Sequence, residues 1–570
     1  MSGQIGSGSP DNSVERTTSI MAASTHIVFQ NGKFFRSNKA PPGQRSKENF
    51  AEALVVKDGI IAFVGEASAP EIKSAIDAGA EVRDVAGRTV LPGLFDGHIH
   101  LTQLGQTLQK LKLDHCKSLA DIRKTIKDYA AANPDQARIF CSGWMHFMTP
   151  EGPLASLIDD LDPRPILITA KDLHSTWANT AALNELGLDD EPDPPGGEIV
   201  RDPKTGKPSG LLSEAASMQF IPLYMAKVST PEDRISAIKT ALDDYNAAGF
   251  TGVVDMAMEE DGWSALQDYR QREKEAGRKV PVHIAAYWLI LPRDSDAENV
   301  KQVERAAELA REFNLETDPD CRLVGIKLVC DGIVDGCTAS LKEPYSHNNE
   351  NCDPAWSKEQ MGPVVETAMK LGLQVALHAI GDRTVADAID VLEQYVGPEH
   401  RPRIEHLEVT TAEDAARLGR LGITASVQPV HSDPAILRAW PKLIGEHRCG
   451  RAFAYSDFAD GGAPVAIGSD APTAPHHFMN NLYIATTRRS AREPELETVV
   501  NPQFALSLCD VVAGATEGAA RSCFLDDRVG SLEVGKKADL AVLDIEWDPS
   551  KALELTVVET WFGGEQIYAA

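Results

Sequence analysis

Apolar and polar positions alternate in short runs at both ends of the chain and change to a mixed rhythm between them. The run from Ile27 to Phe35 is predicted to form a strand, an Asn31-Gly32 turn and a second strand. A second hairpin is predicted from Ala53 to Gly65 with Asp58-Gly59 at its tip, and a third strand near Glu81 to Asp84. The far end repeats the pattern: Leu540 to Asp544, then Val557 to Phe562, a Gly563-Gly564 turn, and a last strand from Glu565 to Tyr568. Both ends read as pieces of β-sheet. The economical arrangement is one discontinuous β domain, residues 25–90 plus 525–570, with another domain inserted between.

In the middle, apolar runs of strand length alternate with helical patterns, which implies parallel strands joined by helical crossovers. Strands are predicted at Leu91 to His100, Phe250 to Met258, Val282 to Ile290, Val324 to Asp331, Leu373 to Ile380, Arg403 to Glu408, Thr424 to Gln428 and Val465 to Asp470. Helices are predicted at Pro231 to Ala248, Glu298 to Phe313, Met361 to Leu371, Thr384 to Tyr395 and Thr411 to Leu421. This order suggests an α/β fold with a closed (β/α)8 barrel over 91–524. An open doubly wound sheet is the rival, but no glycine-rich phosphate loop supports it. The gap after the first strand is too long for one crossover, so an insertion with its own structure is expected at about 114–223, including a strand from Pro165 to Ala170 and a loop from Glu191 to Gly197. Residues 1–24 are polar and rich in Ser and Gly, and are expected to be a disordered tail.

Composition narrows the classes. Among 570 residues, 56 Lys and Arg face 84 Asp and Glu, a net charge of −28 that argues against nucleic acid and anionic membranes as partners. No run reaches the roughly 18 apolar residues of a spanning helix. The nine cysteines are scattered with no CxxC pair and read as reduced thiols of a cytoplasmic protein, which excludes a thiolate metal site. The expected partner is a small-molecule substrate, with a homodimer left open.

The chemistry gathers at predicted strand ends. His98 and His100 alternate on the first strand, so both side chains reach one side and could hold a cation. Two histidines on a solvated face would read the same way. His378, His406 and Asp470 each stand where another apolar strand runs out. Singly, each is an ordinary polar strand end or helix cap. Jointly they matter, because all strand C-termini of a parallel barrel share the face where active sites sit. Lys327 interrupts the apolar strand Val324 to Val329. Burial there favours the neutral amine, which can react with carbon dioxide to give a bridging carbamate. Alternatively its head escapes to the barrel mouth or pairs with Asp331.

This set resembles the amidohydrolase superfamily. The segments Leu91 to His98, His378 to Arg383, Ser426 to Pro429, Gly468 to Pro472 and Gly530 to Leu540 are similar to amidohydrolase family 3, the YtcJ-like branch that includes N-substituted formamide deformylase. The resemblance runs from about His26 to Tyr568. It implies a composite β-sandwich beside the barrel and a zinc site of one or two ions. His98, His100 and Asp470 would hold one ion; His378 and His406 would hold the other, with carboxylated Lys327 bridging. Many relatives carry a Ser- and Arg-rich segment after the fourth strand. Here it reads Asp331 to Ala339, so the substrate is expected to differ. The segment Asp172 to Asn179 is similar to a family motif and makes His174 and Trp177 substrate-pocket candidates, with His174 a reserve catalytic base. His431 and Asp331 are further pocket candidates, and Asp255 a weaker one.

The reading is a metal-dependent hydrolase of a C–N bond in a non-peptide amide, N-formyl or cyclic amide group. Asp470 would take the water proton and pass it to the leaving nitrogen. The rivals are another superfamily reaction on the same ligands (decarboxylation, isomerisation or carbamate hydrolysis) and a binding protein on a degenerate barrel.

Overall fold

The computed structural model describes residues 26–36, 47–171, 174–194 and 197–570. The tail expected at 1–24, part of the motif at Asp172-Leu173 and part of the loop at Pro195-Gly196 lie outside the described residues.

Eight parallel strands form the central sheet: β1 (Leu94–Ile99), β2 (Phe250–Met258), β3 (His283–Ile290), β4 (Cys321–Val329), β5 (Gln374–Ala379), β6 (Arg403–His406), β7 (Thr424–Val427) and β8 (Val465–Ile467), neighbours in that order. The ring closes just beyond β8. The Asp470 N–H donates to the His98 carbonyl at 2.7 Å, and the His100 N–H to the Ala471 carbonyl at 2.9 Å. Helices such as Pro231–Ala247, Lys358–Lys370 and Asp382–Tyr395 pack apolar faces on the outside of the strands. The first two begin at capping boxes, Thr230 with Asp233 and Ser357 with Gln360.

The two ends of the chain meet in the β-sandwich. Leu540–Asp544 pairs antiparallel with Thr89–Pro92, and Trp561 meets Phe29 edge-on at 5.0 Å. The Asp58-Gly59 hairpin forms as predicted between Phe50–Lys57 and Ile60–Gly65. The Asn31-Gly32 hairpin does not. His26–Phe35 is one strand, and Asn31, at φ 59°, marks an irregularity in its pairing with Phe50–Lys57. The reason is that Phe50–Lys57 supplies partners on both sides of the irregularity, so the strand need not turn back on itself. Its first half also pairs with Glu81–Asp84 and its second half with Thr89–Pro92.

The single strand predicted from Leu91 to His100 is likewise two. Thr89–Pro92 belongs to the sandwich and β1 to the barrel, with Gly93 at the crossing. Gly93 donates to the Asp539 carbonyl at 2.7 Å, and a Cβ there would stand 2.1 Å from Thr251 Oγ1. The insertion carries its own six-stranded sheet between Leu111 and Glu214, with Trp144 and Trp177 in its core.

Gly93→Ala should therefore destabilise the fold by about 1–3 kcal/mol through overpacking. Combining it with Thr251→Ala should recover part of the loss. Denaturant unfolding of the two single variants and the double variant measures this; additive losses would contradict the close approach.

Candidate metal centre

The site is built where the ring closes. His98 comes from β1 and His100 follows it directly. Lys327 comes from β4, His378 from β5, His406 ends β6, and Asp470 follows β8. A side chain at Gly468 would collide with the His98 backbone nitrogen at 2.4 Å, so β8 can approach β1 only with glycine there. Three non-glycine residues at the mouth adopt left-handed backbone conformations: His406 (φ 76°), Leu407 (φ 54°) and Asp470 (φ 57°). Such conformations cost about 1 kcal/mol or more each and persist where surroundings over-determine them.

Asp470 Oδ1 lies 2.9 Å from His100 Nε2 and 3.3 Å from His98 Nε2. The His98 and His406 rings are 5.0 Å apart and those of His378 and His406 4.2 Å. The resemblance divided these residues into two groups, with His406 beside His378. The geometry also places His406 with His98 and Asp470: one ligand atom from each of the three lies within 4.8 Å of the others.

The protonation states suit a cation. Burial holds the His98 imidazole down to about 4 and the His378 imidazole to about 3, each helped by Lys327. His406 is lowered as well, again chiefly by burial. Burial opposes ionisation of Asp470, but the imidazoles of His98 and His100 hold its carboxyl well below the usual range. His98 Nε2, His378 Nε2 and His406 Nδ1 are buried without a hydrogen-bond partner among the described residues. Orphaned buried polar atoms are costly. His98, His406 and Asp470, which bring one ligand atom each within 4.8 Å of the others, are the donor set of a divalent cation bound by imidazole and carboxylate. The 3.3 Å between His98 Nε2 and Asp470 Oδ1 is poorly aligned for a hydrogen bond. It matches two ligands of one tetrahedral ion, which lie about 3.3 Å apart. The residues present fit the metal.

Behind His98 stands a network that the strand reading missed. Glu405 Oε2 lies 2.7 Å from His98 Nδ1, and Arg403 Nε donates to Glu405 Oε1 at 2.6 Å. Arg403 also donates to the Gly97 carbonyl, Ser426 Oγ and Ser522 Oγ. Arg403 and Glu405 are fully buried. Burial works against the Glu405 charge, and Arg403 overcomes it, so the carboxylate stays ionised. An ionised Glu405 requires the proton on His98 Nδ1 and leaves Nε2 as a lone pair facing the site. The signal was present as two opposite charges at alternate positions of an apolar barrel strand. Asp96 is a second such device. It accepts from Ser469 N at 2.9 Å, Ser469 Oγ at 2.6 Å and the Tyr245 hydroxyl at 3.1 Å, tying β1 to the turn before Asp470.

The other candidates divide. Lys327 is buried, and burial lowers its pKa; the acids that oppose this are Glu405 and Asp470, not Asp331. Asp331 accepts backbone N–H groups from Ser340, Ile380 and Gly381 at 2.9–3.0 Å, so its carboxylate pins the loop after β4 to the end of β5. That role is scaffolding behind His378. Asp255 likewise accepts from the Leu101 and Ala257 backbone. His431 stands at the centre: Nδ1 is 3.3 Å from Glu408 Oε1 and Nε2 is 3.6 Å from Asp470 Oδ2. Glu408 was not singled out, although it lies two residues beyond His406. His174 sits on the insertion, paired with Glu214 at 2.7 Å and facing Asp335. Trp177 is fully buried in the core of the insertion against Trp144, and its indole N–H donates to the Leu154 carbonyl at 3.1 Å.

A model of the amidohydrolase family matches residues 81–568. The chain belongs to the amidohydrolase family. It is 30% identical over 562 residues to Protein LONG AFTER FAR-RED 3 of Arabidopsis thaliana, covering 95% of this chain and 91% of that one. It is 25% identical to N-substituted formamide deformylase of Arthrobacter pascens, covering 91% and 95%. An uncharacterized metal-dependent hydrolase from Pyrococcus furiosus has the same architecture, with a TM-score of 0.74, 25% identity, and 92% and 100% coverage.

The depressed imidazoles set a pH dependence. Unfolded histidine takes its proton near 6.5, whereas His98 and His378 take theirs near 4 and 3. Between those values the unfolded chain binds more protons, so stability present above 6.5 is lost as pH falls. Each histidine contributes a slope of up to about 1.4 kcal/mol per pH unit. Asp96 and Asp331, raised by burial to about 6 and 7, act in the opposite sense. Comparison with a variant removes their contribution. Metal-stripped parent should lose stability relative to metal-stripped His378→Gln as pH falls below 6.5. Urea unfolding across that range measures it, and a difference independent of pH would contradict neutral, buried imidazoles.

Proposed function

We propose that this amidohydrolase cleaves a C–N bond in a non-peptide amide, N-formyl or cyclic amide group, using zinc, and that it works in the cytoplasm on a small molecule. The observation that carries the reading is the ionised, buried Asp470 beside the unpartnered ligand atoms of His98 and His406. The resemblance to a formamide deformylase over most of both chains supports the choice of bond. Imidazole and carboxylate ligands without thiolate suit zinc.

When bound, the ion lowers the pKa of a water ligand and polarises the scissile carbonyl. The chain's residues do the rest. Asp470 Oδ2 faces the His431 side of the mouth and accepts the proton released by the attacking water. The leaving nitrogen of an amide must be protonated as the bond breaks, and Asp470 returns the proton to it. His431, held by Glu408 and Thr473, flanks that path. The neutral Lys327 amine, favoured by burial, would add carbon dioxide at Nζ and release one proton, leaving a carbamate anion that would serve as a ligand near His378 and His406. No helix of the described residues is long and apolar enough to cross a membrane.

Asp470→Asn should cut turnover about a hundred- to ten-thousand-fold, the usual scale for losing a general base, while the histidines retain much of the metal. His98→Gln should lower metal content and activity together. Elemental analysis beside rate constants on a panel of formamides and cyclic imides separates the two. Near-normal turnover of Asp470→Asn would refute the shuttle, and no metal-dependent cleavage across the panel would refute the choice of bond. Carbon-13 bicarbonate should give a carbamate resonance that Lys327→Met removes; its absence from the metal-loaded parent would refute carboxylation.

A further inference from the structure

The space lined by His100 extends away from the metal centre. A cavity of about 310 Å³ runs along the helix Leu101–Leu108, between it and the insertion helix Ala215–Val228, and Lys110 also lines it. The eight-residue helix separating His100 from Lys110 is about 12 Å long. Ile221, Met225, Met258 and Leu289 give the walls an apolar stretch. A second cavity of about 380 Å³ shares Gln106, Lys110 and Met225, so the two adjoin at the lysine.

Lys110 is unusual in a chain of net charge −28. Its Nζ donates to Thr169 Oγ1 at 3.3 Å, and no carboxylate pairs with it among the described residues. Burial, with Lys112 nearby, lowers its pKa to about 8, so it remains mostly cationic at neutral pH. The arginines that line the same cavities are already paired, Arg234 with Asp261 and Arg138 with Glu185, each at 2.8 Å. A half-buried ammonium without a counter-charge is costly. Asp255, Glu259 and Asp261 line the cavity too; Asp255 accepts the Leu101 N–H beside His100, and Asp261 is paired with Arg234. A ligand's negative group is repelled by Asp255 and attracted at the lysine.

We infer that Lys110 is the anion-binding end of the substrate site, and that the substrate is an elongated amide with a carboxylate remote from its scissile bond. The inference deepens the C–N hydrolase reading and rests on it. The scissile group lies by His100 and Asp470, the apolar middle runs past Met225 and Met258, and the carboxylate accepts a hydrogen bond from Lys110 Nζ. A charge-assisted hydrogen bond of this kind corresponds to about a ten- to hundred-fold difference in affinity.

The test uses a matched pair, N-formyl-ε-aminocaproate and neutral N-hexylformamide, titrated calorimetrically into the metal-loaded full chain. The parent should bind the carboxylate probe about ten- to a hundred-fold more tightly. Lys110→Met should abolish that preference and leave the neutral probe and the metal content unchanged. Lys110→Arg should keep most of it, and Lys110→Gln provides a second neutral variant should Lys110→Met not fold. Equal affinities in the parent, no binding of the carboxylate probe, or a preference that survives in both neutral variants would overturn the inference. Failure of the C–N hydrolase reading shows separately, as a Lys110-dependent preference with neither probe cleaved.

Discussion

Everything at the metal centre depends on one buried ion pair. Arg403 and Glu405 lie in the interior of the barrel, two residues apart on β6, with no solvent around either. Neither charge is tolerable there alone, since breaking a buried pair costs about 3–5 kcal/mol. Together they fix the His98 tautomer through Glu405 and hold the Gly97 carbonyl through Arg403. The pair thereby sets both the position of the HxH strand and the direction in which His98 offers its lone pair. The ring closure next to it, from Asp470 N–H to the His98 carbonyl, brings the carboxylate to the same point.

The centre is held by elements far apart in the chain, which is why the fold positions it so tightly. β1 and β8 meet only because Gly468 lets the two backbones approach. Asp96 reaches across to Ser469 and so couples the strand that bears His98 to the turn that bears Asp470. The sandwich adds a further tie: Asp539, just before Leu540–Asp544, faces His283 of β3 at 2.8 Å and accepts the Gly93 N–H at the crossing into β1. Stability and site geometry thus share the same few contacts.

Much of the barrel was legible in the sequence. Period-two alternation and strand-end placement located His98, His378, His406 and Asp470 at one face, because the C-terminal ends of parallel barrel strands share it. Where the reading failed, local pattern was insufficient or was passed over. Asn31-Gly32 has hairpin chemistry, but whether a strand turns there depends on the partner that Phe50–Lys57 provides. The strand that changes sheets at Gly93 was read as one run, although the Pro92-Gly93 pair interrupts it and is the local sign of the crossing. The helix expected from Met361 begins at Lys358, since its first turn is polar and only the Ser357 cap marks the start. Arg403 and Glu405 were read as part of a motif carrying His406, and Glu408 passed unremarked. Their importance lies in what they face across the barrel, which spacing along one strand does not reveal.

The central claim is that these side chains form one cation site with Asp470 at its edge. Anomalous diffraction at the zinc absorption edge, on crystals of protein purified without chelator, tests it most directly. A single cation site predicts a peak bounded by His98 Nε2, His406 and Asp470 Oδ1, with Glu405 still on His98 Nδ1. A peak elsewhere, or no peak with the imidazole nitrogens still unpartnered, would contradict it.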